Sequence, residues 1–333
     1  MTNLPHDLEN KTGKESDQYS LPPSRRLHLR EPSHYKPSPE LASAIKVALL
    51  LGKPLLVTGE PGTGKTDLGR YLAWKMRIPC YKFDSKSTSK SQDLYYTYDY
   101  LGRYLSAQGA AAVEARDFVH FSALGRAILQ SQTEWTPEVQ RIIPDDFPFE
   151  GPRQSVVIID EIDKAPRDFP NDLLAELDER FFRIPEFRNL RVDANPALEP
   201  ILIITSNSEK DLPQPFLRRC AYFHIDFPEL DVLREIVASQ LKAEFGDGRS
   251  PLLDGALELF EDLRHDRTGL SRKPGTAELL DWLLALLAMG ADRNVALVRQ
   301  KKQVLETFPA LIKLEKDRGT AAGVVEDWAG AQE

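Results

Sequence analysis

Gly59-Glu60-Pro61-Gly62-Thr63-Gly64-Lys65-Thr66 is a complete G-x-x-x-x-G-K-T stretch, and the apolar run Leu55-Leu56-Val57 comes directly before it. A helix-like segment over 65–77 follows, so the order is strand, glycine-rich loop and helix. In that order the glycines let successive backbone N–H groups point at phosphate oxygens, and the helix adds its positive N-terminal end. We predict that residues 59–66 and the adjoining Asp67 bind the phosphates of a nucleotide. A glycine turn with a solvated lysine is the alternative.

Two side chains of this loop and two acids further along have specific expected roles. Lys65 is expected to reach the β- and γ-phosphates, and the Thr66 hydroxyl to bind Mg²⁺. The stretch Val156-Val157-Ile158-Ile159 ends in Asp160 and Glu161, and acids at the tip of an apolar strand are costly unless they serve a function there. We predict that Asp160 lies by the Mg²⁺ and that Glu161 orients and deprotonates the attacking water. Two solvated acids at a helix cap are the alternative.

A third polar tip and a pair of arginines complete the candidate site. Asn207 follows the apolar run 201–204, and its amide can hydrogen-bond both a γ-phosphate and the attacking water, although a turn asparagine would look the same. Arg218 and Arg219 precede another apolar run and could simply be solvated. However, an arginine that neutralises transition-state charge accelerates phosphoryl transfer by about 10³–10⁵. An arginine supplied by a neighbouring subunit would make activity depend on assembly.

The order of apolar segments predicts the architecture. Continuous apolar runs suit parallel strands that are covered on both faces, and their alternation with helices predicts a doubly wound α/β domain over 33–228. After Pro228 the apolar residues follow a helical period, which predicts a small all-helical domain over 229–333. The expected strands cover 54–58, 79–84, 156–160, 201–206 and 221–227, and the expected helices cover 65–77, 119–131, 168–179, 213–219, 253–263 and 276–289.

Composition limits the classes of partner and location. The 333 residues include 43 Lys and Arg against 51 Asp and Glu, and the net charge of −8 disfavours bulk binding to nucleic acid or anionic membranes. No apolar run approaches the about 20 residues of a membrane span, and the first twenty residues lack the apolar core of a secretory signal. Cys80 and Cys220 flank apolar runs and are expected to be buried, reduced thiols. We therefore predict a cytoplasmic protein without membrane insertion. Residues 1–32 are predicted to form a flexible arm before the folded domains.

The motifs together resemble the AAA+ ATPases, and within them the MoxR-like (dynein-related) group. The matching stretches are GEPGTGKT (59–66), VVIIDEIDKAPRDFPNDLLAELDE (156–179), TSN (205–207), LPQPFLRRC (212–220) and KSTSKSQDLYYTYDYLGR (86–103). The resemblance extends over about residues 35–290. It implies a P-loop AAA+ parallel sheet sandwiched by helices and followed by a helical lid domain, with ATP and Mg²⁺ as cofactors.

The same resemblance assigns family roles to individual residues. Lys65 and Thr66 match Walker A, Asp160 and Glu161 match Walker B, and Asn207 matches sensor 1. Arg219 best matches the arginine finger, with Arg218 as its neighbour and substitute, whereas only Arg272 or Lys273 offers a weak match to the sensor 2 cation. The resemblance further implies a homo-oligomeric ring, commonly hexameric, that remodels a protein client such as a von Willebrand factor A-domain protein.

Three interpretations of a tyrosine-rich tract are open, and so are three interpretations of the function. Five of the ten tyrosines fall within residues 95–104, where they could form a partner or pore surface, pack internally, or stack on nucleic-acid bases. A chaperone-like ATPase is the main hypothesis. The alternatives are a nucleic-acid-associated or restriction-type NTPase, which the acidic balance disfavours, and a nucleotide-gated signalling scaffold.

Overall fold

The computed structural model describes residues 31–107, 114–207 and 210–332. These residues form two compact units, an α/β unit over Tyr35–Asp226 and a helical unit that contains Phe227 onward together with residues 31–34. Most of the expected flexible arm, residues 1–30, lies outside the described residues. Its last described part is not an extended tail, because Pro32–His34 forms a turn of 3₁₀-helix within the helical unit.

The α/β unit contains nine strands and eight α-helices among its described residues. The strands are β1 (Leu55–Gly59), β2 (Cys80–Asp84), β3 (Tyr96–Tyr98), β4 (Val119–Phe121), β5 (Val156–Asp160), β6 (Phe181–Ile184), β7 (Leu190–Asp193), β8 (Ile201–Ser206) and β9 (Ala221–Ile225). The helices are α1 (Pro39–Leu51), α2 (Lys65–Met76), α3 (Tyr100–Ala107), α4 (Ala123–Ser131), α5 (Pro137–Gln140), α6 (Phe169–Asp172), α7 (Leu174–Glu179) and α8 (Gln214–Leu217).

Five of these strands form one parallel sheet in the order β2-β5-β8-β1-β9. The two faces of the sheet are packed separately, since Val157 and Ile159 of β5 enter one apolar core while Val156 and Ile158 enter the other. Every residue of β5 is therefore buried, whereas the two edge strands β2 and β9 alternate between more and less exposed positions. This arrangement confirms the predicted α/β class with a helix-covered parallel sheet.

Two short antiparallel hairpins interrupt the strand–helix alternation. One pairs β3 with β4, and the other pairs β6 with β7. The helix expected over 119–131 is wrong at its start, because residues 119–121 form strand β4 and the helix begins only at Ala123. A short run with apolar residues such as Val119 and Phe121 can belong to a helix or to a strand. Here pairing with β3 makes residues 119–121 a strand.

The tyrosine-rich tract is divided between the core and the surface. Tyr95, Tyr96 and Tyr98 are buried, whereas Tyr100 and Tyr104 on α3 are each 64% exposed. The hydroxyl groups of Tyr96 and Tyr100 both donate hydrogen bonds to the carboxylate of Glu186, in the turn of the β6–β7 hairpin. Internal packing thus accounts for three of the five tyrosines.

The helical unit is built from α9 (Leu230–Gln240), α10 (Lys242–Phe245), α11 (Pro251–Arg264), α12 (Thr276–Ala288), α13 (Lys301–Leu311) and α14 (Glu315–Gln332). Helix α12 is apolar on several sides because it lies inside this unit. Its Trp282 is fully buried and donates a hydrogen bond from Nε1 to the Thr307 hydroxyl of α13 at 2.9 Å. The small all-helical region predicted after the sheet is therefore present.

The two cysteines differ in their exposure to solvent. Cys80, at the start of edge strand β2, is exposed, so the expectation of a buried thiol is wrong there. Cys220 is partly buried, and burial raises its pKa to about 12. None of the helices in the described ranges combines the length and the apolar character needed to cross a membrane.

Candidate functional site

The glycine-rich loop has a positive φ at all three of its glycines, and at two of them a close neighbour also excludes a Cβ. Gly59 has φ +151° and Gly64 has φ +84°. A Cβ on Gly59 would lie 2.5 Å from the carbonyl oxygen of Ile225, and one on Gly64 would lie 3.0 Å from the ring of Tyr35. The loop leads directly into α2, which begins at Lys65, and a helix N-terminus at this place favours an anion.

Lys65 is folded back into this loop. Its ammonium donates hydrogen bonds to the carbonyl oxygens of Gly59 at 2.8 Å and Glu60 at 2.7 Å, and only 6% of the residue is exposed. Burial lowers the pKa of Lys65, while the nearby carboxylates, with Asp160 the strongest, act in the opposite direction. The positive charge is thus held inside the curl of the loop.

Asp160, at the end of β5, is the centre of a polar network at the carboxyl edge of the sheet. Its Oδ1 accepts hydrogen bonds from the hydroxyl groups of Thr66 at 2.8 Å and Thr205 at 2.6 Å. Its Oδ2 forms an ion pair with Lys82 Nζ of β2 at 2.8 Å. Burial alone would raise the pKa of Asp160, but the hydrogen bonds from Lys82, Thr205 and Thr66 outweigh it and hold the pKa below its usual value.

Glu161, the next residue, is held in a left-handed conformation with φ +53°. Its Oε1 accepts a hydrogen bond from Asn207 Nδ2 at 3.0 Å, and its Oε2 pairs with Lys164 Nζ at 2.6 Å. Its backbone N–H donates to the Thr205 hydroxyl at 2.8 Å. The structure therefore brings Thr66, Asp160, Glu161 and Asn207 into one connected network, as their places at the ends of neighbouring parallel strands suggested.

The two arginines lie elsewhere in the α/β unit. Arg219 Nε pairs with Asp178 Oδ2 at 2.6 Å, and a guanidinium NH donates to the Pro215 carbonyl at 3.0 Å. The Arg218 side chain is exposed, and it makes no ion pair with any residue of the described ranges. Neither arginine joins the Asp160 network within the part of the chain that the structure describes.

The two candidates for the sensor 2 cation belong to the helical unit. The guanidinium of Arg272 pairs with Glu278 at 2.9 Å, and the backbone N–H of Arg272 donates to Asp317 Oδ2 at 3.1 Å. Lys273 follows it in the same segment before α12. Asp67, the last of the candidate loop contacts, pairs with Arg70 at 2.9 Å one turn further along α2.

Three residues of the network were not found from the sequence. Lys82 and Thr205 contact Asp160, and Lys164 contacts Glu161, three residues before it. All three are polar residues of an ordinary kind for a strand or a helical turn. Lys82 in particular is far from Asp160 in the chain and adjacent only through the β2–β5 register, which pairs Asp84 with Asp160. Thr205 is the first residue of the quoted TSN stretch, so its position two residues before Asn207 was the available signal.

Two solved RuvB structures from Thermotoga maritima are similar to this chain at low sequence identity. A comparison with curated proteins gives no match. Among solved structures, the chain is similar to the Thermotoga maritima RuvB Holliday junction branch migration motor, with 17% identity, a TM-score of 0.42, and coverage of 81% of this chain and 66% of that chain. A RuvB mutant from the same organism is 18% identical, with a TM-score of 0.46 and coverage of 84% of this chain and 72% of that chain. The chain thus spans somewhat less than two thirds of the first relative.

The sequence profile of the AAA domain (dynein-related subfamily) matches residues 54–220, half of the chain. That range begins just before β1 and ends just before β9, so it contains the glycine-rich loop, both acids of the network, Asn207 and the two arginines. The chain belongs to the dynein-related subfamily of the AAA domain family.

Proposed function

We propose that this protein hydrolyses ATP with Mg²⁺ at the loop of residues 59–66 and uses the cycle to remodel a protein partner, as a member of the MoxR-like group. The observation that carries the site assignment is the single network that joins Thr66, Asp160, Glu161 and Asn207 at the mouth of the loop. A phosphate-binding loop, two acids and an amide are the groups that phosphoryl transfer to water requires.

The donors at the network fit Mg²⁺. The hydroxyl of Thr66 lies 2.8 Å from a carboxylate oxygen of Asp160, and hard oxygen ligands of this kind suit Mg²⁺. We assign Thr66 and Asp160 as the residues that hold the ion. When bound, Mg²⁺ supplies positive charge that neutralises the phosphates. The low pKa of Asp160 keeps this carboxylate ionised and available for the role.

Binding of the phosphates requires Lys65 to change partners. Its ammonium is now bonded to the carbonyls of Gly59 and Glu60, and in the proposed complex it bonds to phosphate oxygens instead. Because the side chain is buried, an anion nearby compensates strongly for the loss of solvent around the ammonium. The backbone N–H groups of the loop bind the remaining phosphate oxygens.

Glu161 is the proposed general base, and Asn207 is the proposed positioning residue. Both carboxylate oxygens of Glu161 are occupied, one by Asn207 and the other by Lys164. The carboxylate accepts the proton of the attacking water when one of these bonds opens. The Asn207 amide, which already reaches Glu161, is placed to orient that same water.

Replacing Glu161 with glutamine tests the proposal. The amide cannot accept the proton, so we expect ATP turnover to fall by at least about 100-fold, as loss of a general base does, while ATP binding is kept. Glu138→Gln, an exposed acid on α5 in the same unit, is the matched control and should leave turnover unchanged. Phosphate release and binding of a fluorescent ATP analogue measure the two properties. Unchanged hydrolysis in the Glu161→Gln protein would remove Glu161 from this role.

The assembly, the protein client and the location are also proposed, and they rest on the resemblance to the MoxR-like group. We propose a ring of identical subunits, commonly hexameric in the group, and a protein client of the von Willebrand factor A-domain kind in the cytoplasm. Affinity purification of the Glu161→Gln protein with ATP should trap the loaded ring with its client. Stimulation of ATP hydrolysis by single-stranded DNA or RNA, falling steeply with salt, would instead support the nucleic-acid alternative.

A further inference from the structure

Lys82 lies between two carboxylates at the proposed nucleotide site. Its Nζ is 2.8 Å from Asp160 Oδ2 and 2.5 Å from Asp84 Oδ1. The side chain is 31% exposed, whereas that of Asp160 is 9% exposed. The lysine therefore approaches the buried acid from the side of the sheet edge, and it contacts the oxygen that the two threonine hydroxyls leave open.

The register of the sheet explains why a cation is needed there. Strands β2 and β5 are parallel neighbours, and Asp84 pairs directly with Asp160. Two carboxylates at the same level on adjacent strands repel each other, and the repulsion grows as solvent is excluded. Lys82 is two residues before Asp84 on the same strand, so its side chain leaves the same face and reaches both acids.

We propose that Lys82 is a positioning residue that balances charge at the nucleotide site, holding Asp160 through Oδ2 before nucleotide arrives and competing there with Mg²⁺. The inference rests on the proposed assignment of Thr66 and Asp160 to Mg²⁺. The ammonium supplies one positive charge next to the acid that receives the divalent ion. It attracts a nucleotide without metal, and it opposes the cation that accompanies a nucleotide with metal.

The ammonium thus favours metal-free nucleotide and disfavours the cation. These opposite effects distinguish a role of Lys82 in charge balance from a role in stabilising the sheet alone. Removing the ammonium makes the site more negative by one charge. Binding of metal-free ATP, a highly charged anion, should weaken, while the additional gain in binding that Mg²⁺ gives should increase. Damage to the fold, in contrast, lowers the fraction of competent protein equally for both ligands.

The measured quantity is a ratio of dissociation constants for a fluorescent ATP analogue. It is the constant in EDTA divided by the constant in saturating Mg²⁺. Because a loss of folded protein affects both constants alike, the ratio reports only the coupling between Mg²⁺ and nucleotide. For Lys82→Met we expect the ratio to rise by about tenfold, as for one charge within a few ångströms of the ion at a half-exposed site. Lys82→Arg keeps the charge and should give a ratio close to that of the unmodified protein.

Lys75→Met is the control for loss of one lysine charge elsewhere in the α/β unit, since Lys75 is exposed near the end of α2. Its ratio should be unchanged. An unchanged or lower ratio in Lys82→Met overturns the inference, and so does an equal rise in Lys82→Arg. The proposed function fails separately, if the unmodified protein binds no nucleotide or if Lys65→Ala binds it as tightly as the unmodified protein.

Discussion

At the scale of single residues, one hydroxyl group connects the two acids of the site. The Thr205 side chain donates to Asp160 and accepts from the backbone N–H of Glu161, and the residue is fully buried. It therefore fixes the carboxylate of one acid and the backbone of the other at once. Glu161 has a left-handed conformation, which non-glycine residues adopt reluctantly, and this bond holds its backbone N–H.

Replacing Thr205 with valine removes this hydroxyl while keeping the shape of the side chain. The backbone N–H of Glu161 then loses its partner in a part-buried hydrogen bond, so we expect a loss of about 1 kcal/mol in the free energy of unfolding, together with reduced ATP turnover. Thr205→Ser keeps the hydroxyl and should retain most of both. Denaturant unfolding and phosphate release measure the effects. Equal behaviour of the valine and serine variants would contradict the role given to the hydroxyl.

At the scale of elements, a glycine sets how closely α2 approaches the sheet. A Cβ on Gly69 would lie 2.4 Å from Cγ1 and 2.6 Å from Cδ1 of Ile158, in the centre of β5. Helix α2 carries the end of the proposed phosphate loop, and β5 carries Asp160. The distance between these two elements thus determines how near Thr66 comes to Asp160.

We expect Gly69→Ala to be destabilising in spite of alanine's higher helix propensity. The new methyl group overlaps Ile158, and overpacking of this kind costs about 1–3 kcal/mol in the free energy of unfolding. Ile158→Ala creates space at the same place, so the double variant should be more stable than the sum of the single losses predicts. A thermodynamic cycle of the four proteins by denaturant unfolding gives the coupling. Additive losses would show that the helix adjusts without contact between these two side chains.

At the scale of the whole molecule, the position of Arg218 and Arg219 bears on whether ATP hydrolysis needs more than one subunit. Asp178 pairs with Arg219, and neither Arg219 nor Arg218 joins the Asp160 network within the described residues. Since both lie just before β9 rather than at the phosphate loop, we propose that one of them acts on the nucleotide of a neighbouring subunit. ATP hydrolysis would then require correctly assembled subunits.

Mixing variants tests this proposal. Arg219→Ala alone should be inactive, and Lys65→Ala alone should not bind nucleotide. In mixed assemblies some sites combine an intact loop with an intact arginine from the neighbour, so part of the activity should return. Phosphate release from mixtures of verified mixed composition is the measurement, and Arg218→Ala, which should keep more activity than Arg219→Ala, is the comparison variant. Absence of any recovery would argue against action between subunits.

The sequence alone determined the α/β class, and it predicted the loop of residues 59–66, the two acids and the asparagine as the parts of one phosphate site. These features are local, because glycine spacing, apolar runs and polar strand ends are each read from consecutive residues. The tertiary structure alone decided which other side chains share the site. Lys82 meets Asp160 only because β2 and β5 are neighbours in one register, and Gly69 matters only because α2 packs on Ile158. The register of a sheet and the closeness of a helix depend on the whole core, and no short stretch of sequence encodes them.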